Sequence, residues 1–182
     1  GEAGAAPAAR RKRGQALVAR TRILWITPLR ALASDTVRAL QSMVDSLGLA
    51  WTIAVRTGDA SARDKRLVRE AQAEVVVITP ESLALLLTYP ETAERFAGLR
   101  AIIVDEWHEL LGNKRGVLLQ LGLARLRALA PAVRMWGLSA TLGNLEQARD
   151  VLLPHVPDAP ILAAAKPRRT VIHTLLPEPG ER

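Results

Sequence analysis

The sequence predicts an α/β fold in which a mostly parallel β-sheet carries helices on both faces. Short runs rich in Val, Ile and Leu alternate with longer segments in which apolar residues recur at helical spacing. Strands of a parallel sheet are buried on both faces, so they form continuous apolar runs rather than alternating ones. A chain that alternates strand and helix in this way is typical of β-α-β crossover units.

The first predicted strand is Ile23–Ile26, and an apolar stripe then predicts a helix over residues 33–47. Gly48 follows as a typical helix stop. Residues 51–55 form the second predicted strand, which leads into the turn Thr57-Gly58-Asp59.

A capping pattern that begins at Ser61 predicts a charged helix extending to Ala71. The third predicted strand is Val75–Ile78, and Thr79-Pro80 follows it directly. A threonine at the N-cap with proline at the first helical position is a typical helix start.

The second half of the chain continues the alternation. It contains a fourth strand at Ala101–Val104, a Leu-rich helix over residues 117–129, a fifth strand over residues 133–138 and a short helix over residues 144–153. Beyond this helix the chain is proline-rich, and late strands are predicted near Ile161 and Val171.

Three segments follow from this pattern. Residues 1–22 are Ala/Gly-rich and then basic, and we interpret them as a mobile loop or tail. Residues 23–165 carry the strand and helix signals of one domain, and a chain of 182 residues can bury a substantial core. Residues 166–182 are predicted to be a linker.

Composition narrows the classes of function. A formal net charge of +7 favours a polyanionic partner such as DNA or RNA, although a solvated Arg-rich surface is an alternative explanation. The absence of Cys excludes disulfides and cysteine metal sites and fits a reducing cytosol. No apolar run approaches the ~20 residues that span a bilayer, so we expect no membrane partner.

Two acidic residues, Asp105 and Glu106, directly follow the fourth predicted strand. Ligands bind at the carboxyl ends of the strands in parallel sheets. An Asp there can hold Mg²⁺ against nucleotide phosphates, and a neighbouring Glu can orient an attacking water. The alternative interpretation is a strand that ends in a solvated acidic turn.

Threonine-proline pairs follow two strands, at Thr27-Pro28 and at Thr79-Pro80. Free backbone N–H groups at such helix starts can hold a phosphate, and Arg30 would add a charge-assisted contact. With Gly58 between them, they predict a track for a nucleic-acid backbone that is bound without reading bases. Taken singly, each pair is better explained as a good helix start.

The fifth predicted strand ends in Ser139-Ala140-Thr141. Two hydroxyls that flank a small residue can hydrogen-bond to His108 across the top of the sheet. Such a contact would couple a nucleotide site to a strand-binding surface. A capped turn into the next helix is the alternative.

These motifs occur in the order found in superfamily 2 helicases, and the similarity runs from about Ile23 to about Pro179. The stretch from Asp105 to Gly116 resembles the large helicase-related (Lhr) family, specifically its ligase-associated DExH branch. The resemblance implies a RecA-like fold of the phosphate-loop NTPase type. The motifs are Pro28-Leu29-Arg30-Ala31-Leu32, Thr57-Gly58-Asp59, Thr79-Pro80-Glu81-Ser82, Asp105-Glu106-Trp107-His108 and Ser139-Ala140-Thr141-Leu142.

The resemblance implies an ATP-dependent DNA helicase or translocase with ATP and Mg²⁺ as cofactors. It implies that Asp105 holds Mg²⁺, usually through water, that Glu106 polarises the attacking water, and that His108 links the ATP site to Ser139-Ala140-Thr141. The expected partners are single-stranded or forked DNA and a second RecA-like domain of the same parent chain. DNA repair in a bacterial cytoplasm is the expected setting. The positions implied around the DNA backbone groove are Thr27, Pro28, Arg30, Gly58, Thr79, Pro80 and Ser82.

The chain departs from the family pattern in one respect. Family members carry a Gly-rich phosphate loop with a Lys and a Thr before the first strand, and no such motif occurs in these 182 residues. We therefore predict a fragment of the first RecA-like domain that lacks the N-terminal phosphate-loop segment and is inactive alone. The alternatives are a non-catalytic nucleic-acid-binding scaffold, an RNA helicase, and an unrelated basic α/β domain.

Overall fold

The computed structural model describes residues 20–140 and 143–163. Its centre is a five-stranded sheet made of β1 (Ile23–Ile26), β2 (Ile53–Arg56), β3 (Val75–Ile78), β4 (Ala101–Val104) and β5 (Arg134–Gly137). The strands lie in the order β2-β3-β1-β4-β5, and every neighbouring pair is parallel. The predicted α/β class with a parallel sheet is therefore confirmed.

Helices connect the strands. They are α1 (Arg30–Ser46), α2 (Ala62–Arg69), α3 (Pro80–Leu86), α4 (Thr92–Phe96), a 3₁₀ turn (Trp107–Glu109), α5 (Lys114–Leu129) and α6 (Leu145–Leu152). From β1 the chain crosses through α1 toward β2, whereas from β4 it crosses through α5 toward β5 at the other end of the sheet. Because such crossovers are right-handed, α1 lies on one face, and α2, α3 and α5 lie on the other.

The face under α3 and α5 holds the main core. Leu24, Ile26, Ile102 and Val104 are 0% exposed, and they pack in one cluster with leucines of α3 and α5. Each such side chain contributes roughly 1.5–3 kcal/mol of hydrophobic stabilisation. The opposite face is less covered, and Trp136 of β5 is 52% exposed there. The strand ends are thus held rigidly from one side, and that rigidity positions the loops that follow them.

The boundaries differ from the prediction in physically explicable ways. β2 begins at Ile53 rather than at residue 51, because its pairing with β3 begins there. α5 begins three residues earlier than predicted, because the Asn113 side chain accepts the backbone N–H of Gly116 and caps the helix. The five-residue α4 was not predicted, since it is too short to show a helical period.

The predicted strand near Ile161 is wrong, because residues 161–163 carry no strand. The strand predicted near Val171 lies outside the described residues, as do most of the predicted tail at 1–22 and the linker at 166–182. None of the helices in residues 20–140 and 143–163 has the length and apolar character that a bilayer crossing requires.

Candidate functional site

The residues predicted as functional lie along the carboxyl edge of the sheet. All five strands are parallel, so the segments that follow them share this edge. After β1 the chain crosses toward one end of the sheet, and after β4 it crosses toward the other end. In open α/β sheets a crevice forms at such a switch point between neighbouring strands. The predicted nucleic-acid loops follow the adjacent strands β2, β3 and β1, whereas the acidic turn and Ser139 follow β4 and β5.

Asp105 is fixed by three hydrogen bonds at the switch point. Its backbone N–H donates to the carbonyl of Ile26 at 2.8 Å, which extends the ladder between β1 and β4. Its carboxylate accepts from the Trp25 indole Nε1 at 3.2 Å and from the Glu106 backbone N–H at 3.0 Å. Trp25 was not predicted as part of the site. Its contact depends on β1 lying beside β4, which the sequence pattern does not reveal.

Glu106 has left-handed backbone geometry, with φ of 46° and ψ of 47°. For a residue with a side chain this region costs roughly 1–2 kcal/mol, and it persists only where the surroundings enforce it. The chain turns sharply here from β4 into the 3₁₀ turn. Asp105 and Glu106 therefore occupy a tight turn at the strand end rather than an extended solvated loop.

Trp107 anchors this turn to the rest of the domain. It is 2% exposed, and its indole Nε1 donates to the carbonyl of Ala148 in α6 at 2.9 Å. Its backbone N–H donates to the carbonyl of Leu138, just beyond β5, at 2.9 Å. The sequence suggested no role for this tryptophan, and the structure shows a packing role.

His108 lies between the acidic turn and the end of β5. Its Nδ1 is 2.9 Å from the Ser139 hydroxyl and 3.4 Å from the Glu106 carboxylate, and its Nε2 is 3.4 Å from the Glu109 carboxylate. The hydrogen bond between His108 and Ser139 is the contact that the sequence predicted. Ala140 is exposed next to it, and Thr141 lies outside the described residues.

The predicted nucleic-acid residues divide into buried and exposed groups. Thr27 and Thr79 are 0% and 3% exposed, and the Thr79 hydroxyl accepts the Ser82 backbone N–H as a helix cap. The two prolines that follow them are also buried, at Pro28 and Pro80. These four residues shape the loops, while the surface itself is formed by the exposed or partly exposed Arg30, Gly58 and Ser82.

Arg30 and Gly58 meet on this surface although they follow different strands. A Cβ added at Gly58 would lie 3.3 Å from the Arg30 guanidinium, so glycine leaves room for that side chain. Lys65 donates to the Gly58 carbonyl at 2.9 Å and brings a second cation. The Thr57 hydroxyl, and more weakly Arg30 and Lys65, hold the pKa of Asp59 below its ordinary value.

Arg115, in the first turn of α5, was not singled out by the sequence. Its guanidinium donates to the carbonyl of Pro28 at 2.8 Å and pairs with both carboxylate oxygens of Glu81. It therefore bridges the loop after β1 and the start of α3. The sequence signal for it is its position in the run from Glu109 to Gly116, which resembles the Lhr family but indicates no role for the individual residues.

The acidic turn suits a metal ion that is shared with a substrate rather than caged by protein. Among residues 20–140 and 143–163 there is no group of three or more His, Cys, Asp or Glu side chains that could hold a metal. Mg²⁺ is usually bound through one or two carboxylates together with waters and substrate phosphates. Each Asp105 oxygen accepts one hydrogen bond and keeps a lone pair for a water, so this residue fits such a contact.

Comparison with known proteins gives a consistent result. Two curated relatives are the ATP-dependent helicase Lhr-Core protein 2 of Thermococcus barophilus and the Lhr-Core helicase of Methanocaldococcus jannaschii. The first is 37% identical over 135 residues, covering 69% of this chain and 16% of the relative. The second is 33% identical over 165 residues, covering 85% of this chain and 19% of the relative. The chain therefore spans less than a fifth of the length of either protein.

A solved structure supports the same relationship. The Mycobacterium smegmatis helicase Lhr bound to ssDNA and AMP-PNP superposes with a TM-score of 0.66 at 34% identity, covering 78% of this chain and 20% of that one. The resemblance to Lhr helicases and the RecA-like fold are thus confirmed. The sequence profile of DEAD/DEAH box helicases matches residues 3–148. The chain accordingly belongs to the DEAD/DEAH box helicase family.

Proposed function

We propose that this chain is part of the first motor domain of an ATP-dependent DNA helicase or translocase, with ATP and Mg²⁺ as its cofactors. One observation supports this most directly. An acidic turn and a basic groove lie side by side at one sheet edge, and the contact of His108 with Ser139 extends from the acidic side toward the next strand. The similarity to helicases of the Lhr group supports the same assignment.

The acidic turn is assigned the nucleotide chemistry. Bound Mg²⁺ would neutralise the charge that develops on the transferring phosphoryl group. Asp105 would hold a metal-bound water, since Trp25 and the Glu106 N–H fix its carboxylate in one orientation. Glu106 would orient the attacking water, as a general base must lie within hydrogen-bond reach of the proton that it accepts. His108 would transmit the state of the acidic turn to Ser139 and Thr141.

The surface after β2, β3 and β1 is assigned to one strand of single-stranded or forked DNA. Arg30 and Lys65 supply positive charge, and Gly58 and Ser82 leave room for the backbone to approach. Thr27, Pro28, Thr79 and Pro80 would act indirectly, by fixing the loops. Such contacts bind phosphates and carry no base information directly. A second RecA-like domain in the same parent chain would close the groove and supply arginine fingers.

The cellular process and the compartment are proposed from the family resemblance alone. Similarity to the ligase-associated branch supports a role in DNA repair in the cytoplasm of a bacterium. DNA is preferred over RNA as the substrate because the Lhr relative of known structure was solved with ssDNA. Comparing unwinding of matched DNA and RNA forks by the full-length protein tests this preference, and faster unwinding of the RNA fork would contradict it.

Replacement of Glu106 tests the proposed function. In the full-length helicase, Glu106→Gln should lower DNA-stimulated ATP turnover by at least about a hundredfold, since the amide keeps the shape but cannot accept the proton. Nucleotide binding, measured with a fluorescent ATP analogue, should be retained.

Glu109→Gln is the matched control, because Glu109 also lies 3.4 Å from His108 but its side chain is 53% exposed. Its turnover should stay within about twofold of the unmodified protein, the range expected for a surface change. Normal turnover and unwinding in Glu106→Gln would show that Glu106 is not the catalytic residue.

A further inference from the structure

The Arg115 side chain contacts two loops that follow neighbouring strands. One amino group donates to the Pro28 carbonyl at 2.8 Å, and the guanidinium also pairs with both oxygens of Glu81. Pro28 lies two residues before Arg30, after β1. Glu81 lies between Pro80 and Ser82, after β3. A single side chain thus fixes the spacing of two of the proposed DNA-binding loops.

Hydrogen bonds also connect the backbone around Arg115 to the acidic turn formed by Asp105 and Glu106. Glu109 donates its backbone N–H to the carbonyl of Glu106 at 2.9 Å, and the Asn113 side chain donates to the carbonyl of Glu109 at 2.7 Å. Asn113 also accepts the backbone N–H of Gly116 at 3.0 Å and so caps α5. Three hydrogen bonds therefore span the chain from Glu106 to Gly116, the residue that follows Arg115.

Gly116 makes this connection stiff. A Cβ at this position would lie 1.9 Å from the carbonyl oxygen of Leu110, so the first turn of α5 sits directly on the chain that leaves the 3₁₀ turn. Leu110 itself is 0% exposed and belongs to the core. A shift of the acidic turn would consequently move the start of α5, and with it the Arg115 guanidinium.

The pair with Glu81 is a weak source of stability, because both side chains are partly open to solvent, at 38% and 52% exposure. Its geometry is more informative. The Arg115 hydrogen bond is the largest cause of the lowered pKa of Glu81, so the carboxylate is ionised at neutral pH and holds the guanidinium. An arginine fork can satisfy a carbonyl and a carboxylate at once, whereas a lysine acts as a point charge.

We propose that Arg115 is a positioning residue that couples the acidic turn after β4 to the DNA-binding loops after β1 and β3, by holding Pro28 and Glu81 against the start of α5. This inference rests on the proposed function of the same site. Arg115 would transmit a movement of the nucleotide side to the DNA side, and DNA on the loops would act back through the same contact. Energetic coupling between two sites is reciprocal.

The test uses the full-length helicase and measures ATP turnover without DNA and at saturating single-stranded DNA. The ratio of the two rates should fall by at least about fivefold in Arg115→Ala, within the range of typical couplings. Arg115→Lys should not fully restore the ratio, because one ammonium cannot reproduce the planar fork that pairs with both Glu81 oxygens and the Pro28 carbonyl. Lys114→Ala removes an exposed cation one residue away and should leave the ratio unchanged.

Glu81→Gln removes the charge of the carboxylate that Arg115 contacts. It replaces Arg115→Ala as the test if that variant does not fold. It should also lower the ratio, and the double variant should be no worse than the more severe single one, as expected for residues acting as one unit. An unchanged ratio in both single variants, or full restoration by Arg115→Lys, would overturn the proposal.

Direct phosphate binding by Arg115 is a separate outcome that would also overturn it. In that case Arg115→Ala would reduce the salt dependence of DNA affinity by about one contact, and Arg115→Lys would restore it. If the proposed function itself is wrong, the turnover measurements give a different result. The unmodified protein would then show no DNA-stimulated turnover that depends on Glu106, whatever stands at position 115.

Discussion

Trp107 has no functional group suited to catalysis, yet it holds the residues on either side of it in place. Its ring is buried, and its two N–H groups bond to Ala148 in α6 and to Leu138 just beyond β5. A buried indole N–H without a partner is costly, so these bonds select one position for the ring. Trp107 thus fixes the position of the turn that carries Asp105 and His108, although it performs no chemistry itself.

Arg30 is an exposed cation on the proposed DNA-binding surface, and its replacement tests the DNA assignment. Arg30→Ala in the full-length helicase should weaken single-stranded DNA binding by about tenfold, since a hydrogen bond to a charged group contributes roughly 1.5–3 kcal/mol. The loss should be similar for all DNA sequences, because phosphates carry no base information. Fluorescence anisotropy with several oligonucleotides over a range of salt measures both properties.

Arg38→Ala is the control for charge. Arg38 lies on the same helix, has 78% of its side chain exposed and pairs with Asp35. It should bind DNA within about twofold of the unmodified protein, as expected for a surface change. Thr79→Ala should act more weakly than Arg30→Ala, since the threonine is buried and only caps α3. If Arg30→Ala binds normally at low and high salt, Arg30 is only part of a helix start.

At the scale of elements, the sequence pattern predicted where the strands lie along the chain. It did not predict their order in the sheet. Four-residue apolar runs such as Ile23–Ile26 and Ala101–Val104 coincide with the observed strands, because full burial leaves a continuous apolar signal. Strand order depends on which faces pack together across long separations in sequence. The periodicity of each element contains no such information, so β1 beside β4 emerges only from the structure.

The candidate site was likewise only partly predictable from the sequence. Residues that follow strands were predictable, since parallel strands end at one edge and polar residues there are conspicuous. Contacts across the sheet were mostly not predictable. Trp25 reaches Asp105 over 80 positions, and Arg115 reaches Pro28 over 87. The bond of His108 to Ser139 was the exception, since both residues follow strands of the same sheet edge and carry groups that can hydrogen-bond.

The next prediction concerns the contact between the turn after β4 and the end of β5. Changing Ser139 and Thr141 together to Ala should uncouple the motor, because it removes the His108 contact and leaves Asp105 and Glu106 in place. The full-length double variant should retain about half or more of its DNA-stimulated ATP turnover, since the contacts that fix the Asp105 carboxylate do not involve Ser139. Strand separation should fall by about fivefold or more, the lower end of typical couplings. Both rates are measured on one forked DNA.

Ser46→Ala combined with Thr88→Ala is the matched control, because both hydroxyls are exposed and bond only to nearby backbone carbonyls. This control should keep turnover and strand separation together at the level of the unmodified protein. A strictly proportional loss of both rates in the Ser139 and Thr141 variant would assign the motif to hydrolysis or to folding instead of coupling.

Considered as a whole, the molecule places two sets of polar loops along one edge of its sheet, and we propose that they divide DNA binding and nucleotide chemistry between them. The basic groove follows β2, β3 and β1, and the acidic turn follows β4. Both sets of loops follow strands whose side chains on the face under α3 and α5 belong largely to the buried core. Side-chain contacts join the two sets of loops. Arg115 contacts Pro28 and Glu81, and Trp25 of β1 donates to Asp105. His108 instead joins the acidic turn to Ser139, after β5.

The 182-residue chain on its own should show no appreciable ATP turnover, even with single-stranded DNA and Mg²⁺ present. Its sequence contains Asp105 and Glu106 but no Gly-rich loop with a Lys and a Thr to hold the phosphates. Positioning and charge stabilisation provide almost all of the catalysis of phosphoryl transfer, and an arginine finger alone accounts for about 10³–10⁵-fold. A carboxylate that orients water cannot replace these groups, because it stabilises none of the charge on the equatorial oxygens. A phosphate-release assay measures the rate. Turnover of roughly one per second, a typical enzymatic value, that disappears in Glu106→Gln would show that these residues suffice for hydrolysis.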